Sequence, residues 1–151
     1  GTAVRVFETR SGRAVGSAYV HPTEVRQVRL SQHGSGLPRR RLALVDASGD
    51  LYVTPVTQHE PEKLATMCES CAWNDASDAL LAAADGRSVL WMDPSSVWVD
   101  RDLCALAKVE TDASDWGRLP TLISFIGPRA TVQRGDGAIL HTTINPFLPL
   151  L

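Results

Sequence analysis

Short apolar runs alternate with turn residues along the whole chain, and the same order returns three times. Val25, Val28 and Leu30 precede Ser31, while Cys68, Cys71 and Trp73 precede Asn74 at the same offsets. A weaker third copy keeps Ile123 and Phe125. From Leu30 to Trp73 to Phe125 the steps are 43 and 52 residues, and the second step contains an insertion between Asp100 and Pro120. After each copy come a second apolar run, a tight turn and a third run with strand alternation. The turns are Ser48-Gly49, Asp85-Gly86 and Asp136-Gly137. Glycine suits them because a turn between antiparallel strands needs a residue that tolerates positive φ, and the preceding Ser or Asp can bond the local backbone. The runs that follow are Leu51 to Val56, Ser88 to Met92 and Ala138 to Ile144. Fourth strands are predicted over Ala14 to Val20, Lys63 to Met67 and Val97 to Asp100.

A repeat of about 40 to 45 residues with four strands per unit is the signature of propeller blades. The opening text agrees: Thr2-Ala3-Val4-Arg5-Val6-Phe7-Glu8 followed by Ser11-Gly12-Arg13 resembles the close of a WD repeat. The fold class expected is all-β, a partial WD40-like β-propeller of about three to four blades of four-stranded antiparallel sheets. The expected division is 1–20 as the end of a blade, 21–67 and 68–102 as blades, 103–119 as an insertion and 120–151 as the start of a further blade. A ring needs at least about four complete blades, so this chain is expected to be a sector of a longer polypeptide.

WD blades are pinned by a Trp on the third strand, a Ser or Thr on the second, a turn Asp and an inter-blade His. No blade here carries the full set. The best has Asp85 and Trp91, but Ala82, Ala83 and Ala84 on its second strand bear no hydroxyl. The blade before it has His21 and Ser48, with Thr54 in the Trp place; the last has Asp136, with Thr142 there. His21, Ser48, Asp85, Trp91 and Asp136 are therefore read as structural. Apolar packing between sheets, through Val25, Leu44, Val53, Leu90, Ile123 and Leu140, should carry most of the stability.

Composition adds class limits. The chain has 151 residues, 44% hydrophobic and 21% charged, as expected for an ordered globular domain. The longest apolar runs, such as Ala79 to Ala84, fall far short of the roughly 20 residues that span a bilayer, and Gly1 to Val20 has no signal-peptide core, so neither membrane insertion nor export is expected. Three cysteines without an export signal fit reduced thiols inside a cell. Net charge is −2, unevenly spread: residues 1–45 hold eight Arg against two Glu, which suggests electrostatic steering of partners.

Candidate chemistry is sparse. Cys68-Glu69-Ser70-Cys71 has CxxC spacing, but a zinc site needs a second pair and only Cys104 remains. Those two positions are filled by Val25 and Val28 one repeat earlier, so buried small hydrophobes are the better reading, with no metal and no cofactor. His33-Gly34-Ser35-Gly36 lacks the spacing of a nucleophile elbow and reads as a loop. The basic run Arg39-Arg40-Arg41 could meet an acidic protein surface; without aromatics to stack bases, nucleic acid is not expected. In the insertion, Trp116 is the candidate interface anchor.

The order of several unusual segments goes beyond a generic WD pattern: Cys71-Ala72-Trp73-Asn74-Asp75, then Val97-Trp98-Val99-Asp100-Arg101-Asp102, Ile123-Ser124-Phe125-Ile126-Gly127 and Arg134-Gly135-Asp136-Gly137. In this the chain resembles the second propeller of the eighty-kilodalton WD-repeat subunits of intraflagellar transport complex B. That resemblance implies a parent with an earlier propeller upstream and helical repeats downstream, a structural role in cilium or flagellum assembly and axonemal cargo transport, and residence in the cilium, at its base and in the cytoplasm. It implies other complex B subunits as partners, a calponin-homology subunit among them. The expected function is thus a non-catalytic interaction scaffold and not an enzyme. The alternatives are a vesicle-coat propeller scaffold, or an enzyme using the central channel with His21, His59 and His141.

Overall fold

The computed structural model describes residues 1–32 and 40–145. Among these, thirteen strands form four antiparallel sheets. The first pairs β1 (Ala3–Val4) with β2 (Tyr19–Val20), and the bridge Phe7 to Ala14 extends that hairpin. The second runs in order through β3 (Val25–Leu30), β4 (Arg41–Asp46), β5 (Leu51–Pro55) and β6 (Glu62–Ala65). The third runs through β7 (Cys68–Trp73), β8 (Ala79–Ala84), β9 (Arg87–Met92) and β10 (Lys108–Asp112). The fourth holds β11 (Thr121–Ile126), β12 (Arg129–Gln133) and β13 (Ile139–Thr143). Two strands, two whole blades and three strands of another is the expected propeller sector.

The period-2 geometry of a strand explains how the sheets stack. On β4, Leu42 and Leu44 pack with Tyr19 and Val56 toward the first sheet, while Ala43 and Val45 pack with Leu51 and Val53 toward the third. On β8, Leu80, Ala82 and Ala84 face the second sheet, and Ala79, Leu81 and Ala83 face the fourth, beside Leu122, Phe125 and Val132. Every β8 residue is buried because both faces are covered, and its four alanines let the neighbouring sheets approach. Burying each leucine stabilises by about 1.5–3 kcal/mol, so β4 and β8 anchor three cores. Leu44, Val53 and Leu90 lie in these cores as expected, whereas Ile123 is exposed: a bulge between Leu122 and Ser124 turns the strand and gives the core positions to Leu122 and Phe125.

The fourth strand of the third sheet differs from expectation. Val97 to Asp100 is not a strand. Pro94 opens a 3-10 turn over Pro94–Trp98, and Asp100 caps a short helix, α1 (Arg101–Leu106), by accepting from Asp102 N at 2.9 Å. Val97 and Cys104 of this excursion pack on Trp91. The edge strand is β10, which pairs Lys108 with Trp91 and Asp112 with Arg87. It lies within the span assigned to the insertion, so the blade reaches Asp112 and the added segment sits between its third and fourth strands.

Candidate interaction surfaces and the polar contacts between blades

Polar contacts join the blades at several levels. Gln27 Oε1 on β3 accepts from Ser70 Oγ (3.1 Å) and Cys71 N (2.9 Å), and Ser70 Oγ accepts from Leu122 N (2.9 Å). These residues occupy one repeat position on three successive inner strands. Arg29 Nε donates to Cys71 O (3.1 Å) and its Nη2 to Leu122 O, while Trp73 Nε1 donates back to Arg29 O (3.1 Å). The Trp-Asn-Asp segment serves the next junction. Asn74 Nδ2 donates to Gly127 O (2.8 Å), and Asp75 accepts from Gly127 N (2.9 Å).

His21 does sit in an inter-blade network, but its partner was not legible in the turn. Its Nε2 lies 2.9 Å from Asp46 Oδ2, and Tyr19 Oη lies 2.7 Å from its Nδ1. A carboxylate only accepts, so Nε2 donates to Asp46, while Nδ1 and the Tyr19 hydroxyl share the second bond. Asp46 also accepts from Thr23 Oγ1 (3.0 Å) and from the backbone N–H of Ser48 and Asp50 (3.0 Å each). Burial alone would raise the Asp46 carboxyl; the bonds from His21, Asp50, Thr23 and Ser48 outweigh it and hold the group below the usual range. Ser48 contributes its backbone only in the contacts seen here, with an exposed side chain. Asp46 fills the role expected at the turn itself.

The other expected structural residues behave differently from one another. Trp91 is buried in the core between the second and third sheets. Asp85 is an exposed turn residue with φ 51°. Asp136 is likewise exposed, accepting from Ala138 N at 3.0 Å within its own turn.

Two candidate docking residues are internal. Arg41 holds both carboxylate oxygens of Asp78, donates to Ser95 Oγ, and lies with its guanidinium carbon 5.2 Å from the centre of the Trp73 ring. Its side chain is 11% exposed, so it bridges two blades and offers no free charge to a partner. Arg40 donates to Ser31 O at 2.7 Å and is half-buried; Arg39 lies outside the described residues. Trp116 is 3% exposed and packs with Ala113, Leu122 and Phe125, which makes it a core residue. Sequence position in an insertion could not show that the chain folds back there.

Cys68, Cys71 and Cys104 are free and buried. Burial pushes the Cys68 thiol up to about 12 and Cys71 higher still, so neither is a nucleophile or a ready ligand. Among the described residues no group of three or more His, Cys, Asp or Glu is placed to hold a metal. His59 packs edge-on to Tyr19, whereas His141 bonds Thr131 on the fourth sheet, so the three histidines do not converge.

The surface signal that sequence reading missed is on and just before α1. Val99, ahead of the helix cap, and Leu103 and Leu106 on the helix are 84%, 50% and 82% exposed. They leave apolar side chains in solvent on the segment inserted between β9 and β10.

Residues 1–147 match the family described as IFT80 second beta-propeller. The chain belongs to that family. It is 35% identical to intraflagellar transport protein 80 homolog of Rattus norvegicus and 33% identical to that of Mus musculus, in each case over 97% of this chain. It spans 19% of the length of those relatives. A crystal structure of human WBSCR16 superposes with a TM-score of 0.50 at 15% identity, covering 92% of this chain and 39% of that one, a likeness of fold alone.

Proposed function

We propose that this chain is a non-catalytic scaffold sector of a structural subunit of intraflagellar transport complex B, acting in cilium assembly and axonemal transport. The observation that carries this reading is the family match across nearly the whole chain, with relatives named for intraflagellar transport. The geometry supports it in two ways. Gln27, Arg29, Arg41 and Asn74 spend their polar groups on joining blades, and the Tyr19, His21 and Asp46 chain, which resembles an acid-base relay, has both ring nitrogens engaged and lies buried. Val99, Leu103 and Leu106, on and just before α1, instead leave apolar surface for another protein. Other complex B subunits, including a calponin-homology subunit, are the proposed partners, in the cilium, at its base and in the cytoplasm.

The test expresses the full parent protein with Val99→Ser, Leu103→Ser and Leu106→Ser, and follows co-purification and ciliary entry. Wild type should travel with axonemal complex B subunits, and the triple variant should lose one or more of them while keeping its melting temperature. Co-purification of wild type with Golgi coat components would move the scaffold to the vesicle-coat alternative.

A further inference from the structure

The second, third and fourth sheets end on their outer side in β6, β10 and β13. Two of these edges are guarded. β6 carries Glu62 and Lys63, and backbone carbonyls there are covered: Arg101 donates to Lys63 O (3.1 Å) and Trp98 to Glu60 O, just before the strand (2.8 Å). β10 carries Lys108, Glu110 and Asp112. Such charges keep a free edge from pairing with another chain. β13 reads Ile139-Leu140-His141-Thr142-Thr143, with no Asp, Glu, Lys, Arg or Pro. Two bonds set the phase of its ladder, Ile144 N to Pro128 O (2.7 Å) and Arg134 N to Ala138 O (2.8 Å). In an antiparallel pair alternate residues bond to the same neighbour, so Leu140 and Thr142 bond to β12 while Ile139, His141 and Thr143 turn their N–H and C=O outward. Among the described residues no hydrogen bond reaches those outward groups.

Next to this edge opens a cleft of about 300 Å³, lined by Leu90, Val109 and Thr111 of the third sheet, by Trp116, and by Thr142 and, just after β13, Ile144. The third sheet has four strands where the fourth has three, so β10 overhangs β13 and the cleft lies below the place of a further strand. Charge does not select what fills it. Asp112 and Asp115 also line the cleft, but Arg87 stands opposite Asp112 in the ladder and Ser114 Oγ donates to that carboxylate at 2.9 Å. The residues after Asn145 lie outside the described ones, and their sequence, Pro146-Phe147-Leu148-Pro149-Leu150-Leu151, holds two prolines and no charge, unlike β6 or β10. Proline brings no N–H to a ladder, so this text is a poor outer strand.

We propose that the outer edge of β13 accepts an extended segment of a partner protein as a fourth strand. The backbone of that segment pairs with Ile139, His141 and Thr143, and its alternate side chains, which are apolar, enter the cleft against Val109 and Trp116. Backbone pairing supplies the affinity, and the alternation supplies the selectivity. This edge is distinct from the apolar side chains on and just before α1, and its role as a docking site rests on the scaffold reading.

The test uses the full-length parent protein and a labelled peptide of alternating Val and Thr with Lys at both ends, read by fluorescence anisotropy. Two twins carry N-methyl groups on the Val or on the Thr positions, because an added strand offers only one of its two edges to β13. One twin should bind about tenfold or more weakly than the parent peptide and the other about equally; loss on the Thr set marks antiparallel addition, loss on the Val set parallel. His141→Pro removes an outward N–H and no bond to β12, and should weaken binding about tenfold. Thr131→Val, which removes the same side-chain contact of His141 but leaves the edge intact, should bind as wild type does. Hydrogen exchange gives a readout that needs no variant: the amides of Ile139, His141 and Thr143 should exchange faster than those of Leu140 and Thr142 in the protein alone and slow on adding peptide. No saturable binding, equal behaviour of the two N-methylated twins, unchanged binding by His141→Pro, or outward amides already protected in the protein alone, as when its own chain fills the edge, would each overturn the proposal. Co-purification of complex B subunits is a separate readout, so the scaffold reading can stand if this edge fails.

Discussion

Arg41 to Met is the substitution that best separates a surface charge from an inter-blade bridge. In the fold the guanidinium grips both oxygens of Asp78 and lies against the Trp73 ring, with the two side chains 11% and 23% exposed. Removing one partner of a fully buried pair destabilises by about 3–5 kcal/mol, because the other charge stays behind unpaired. Partial exposure reduces that to about 2–3 kcal/mol here, and loss of the ring contact adds about 0.5–1 kcal/mol. At about 2–4 °C per kcal/mol for a chain of this size, the melting temperature should fall by about 5–16 °C. The pH dependence gives a second, independent sign. Burial raises the Asp78 carboxyl to about 6, Arg41 opposes that, and Asp93 adds to it. A carboxyl raised in the fold favours the folded state at low pH, and that contribution is lost as pH rises from about 4 in the unfolded chain to about 6. Without Arg41 the carboxyl rises further. The deficit of the variant should therefore be largest at pH 7.5 and shrink toward pH 5, as protonation removes the unpaired charge. Urea unfolding at the two pH values measures it, and the double variant with Asp78→Asn should recover at least about 1 kcal/mol. A loss below about 0.5 kcal/mol, the scale of an exposed charge, or a deficit that grows on acidification would refute the bridge.

Asp46→Asn should cost about 2–3 kcal/mol, since the single amide oxygen can accept from His21 and Thr23 or from the Ser48 and Asp50 N–H groups but not from both pairs, and the NH2 is left facing two donors. Because the native carboxyl is held below its usual range, its contribution is present above pH about 4 and lost below it; urea titrations from pH 5 to 3 should show wild type losing an increment that the variant lacks. Trp116→Ala should destabilise by about 3–5 kcal/mol in thermal unfolding, as for other large core truncations, and any loss of assembly should track that instability. A variant with unchanged unfolding and a selective loss of partner would return Trp116 to the surface. The three thiols should resist alkylation in native buffer at pH 8 and react together on denaturation; fast labelling of Cys68 or Cys71 in the folded chain would contradict their burial.

The sheets were legible because the signals that define them are local. Inner strands β3, β7 and β11 repeat their apolar spacing, and the turn glycines Gly49, Gly86 and Gly137 all have positive φ. β10 was not legible for a reason that is equally local. Lys108-Val109-Glu110-Thr111-Asp112 is the outermost strand, almost wholly solvated, so alternation has little to mark, and its charges suit an exposed edge. The apolar text Val97 to Val99 drew the assignment instead, although Asp93-Pro94 and Asp100 before it and after it are turn and cap signals. The His21 network shows the complementary case: its acceptor is at Asp46, two residues before Ser48, so the repeat frame pointed to the correct turn and the wrong side chain.

The site residues were harder to read because exposure and backbone strain are properties of blade pairs. A basic run marks charge but not where each side chain goes. Arg41 stands at the start of a strand whose next residue faces one neighbour, so its own side chain turns to the other, where Asp78 and Trp73 wait. Trp116 is drawn in by the same logic, since it joins the core that β8 and β9 form with the apolar positions of β11 and β12. Met67 and Leu119 run the opposite way. Nothing in either residue type announces a left-handed turn, and only their common place in the repeat, shared with Glu24, connects them. Across β8 alternate residues already belong to different cores, so the cooperative unit is the interface between blades. Once each such interface has taken its share of apolar and charged groups, the strained and solvated side chains at the mouths of β7 and β11, and the exposed apolar side chains on and just before α1, are what packing leaves unexplained.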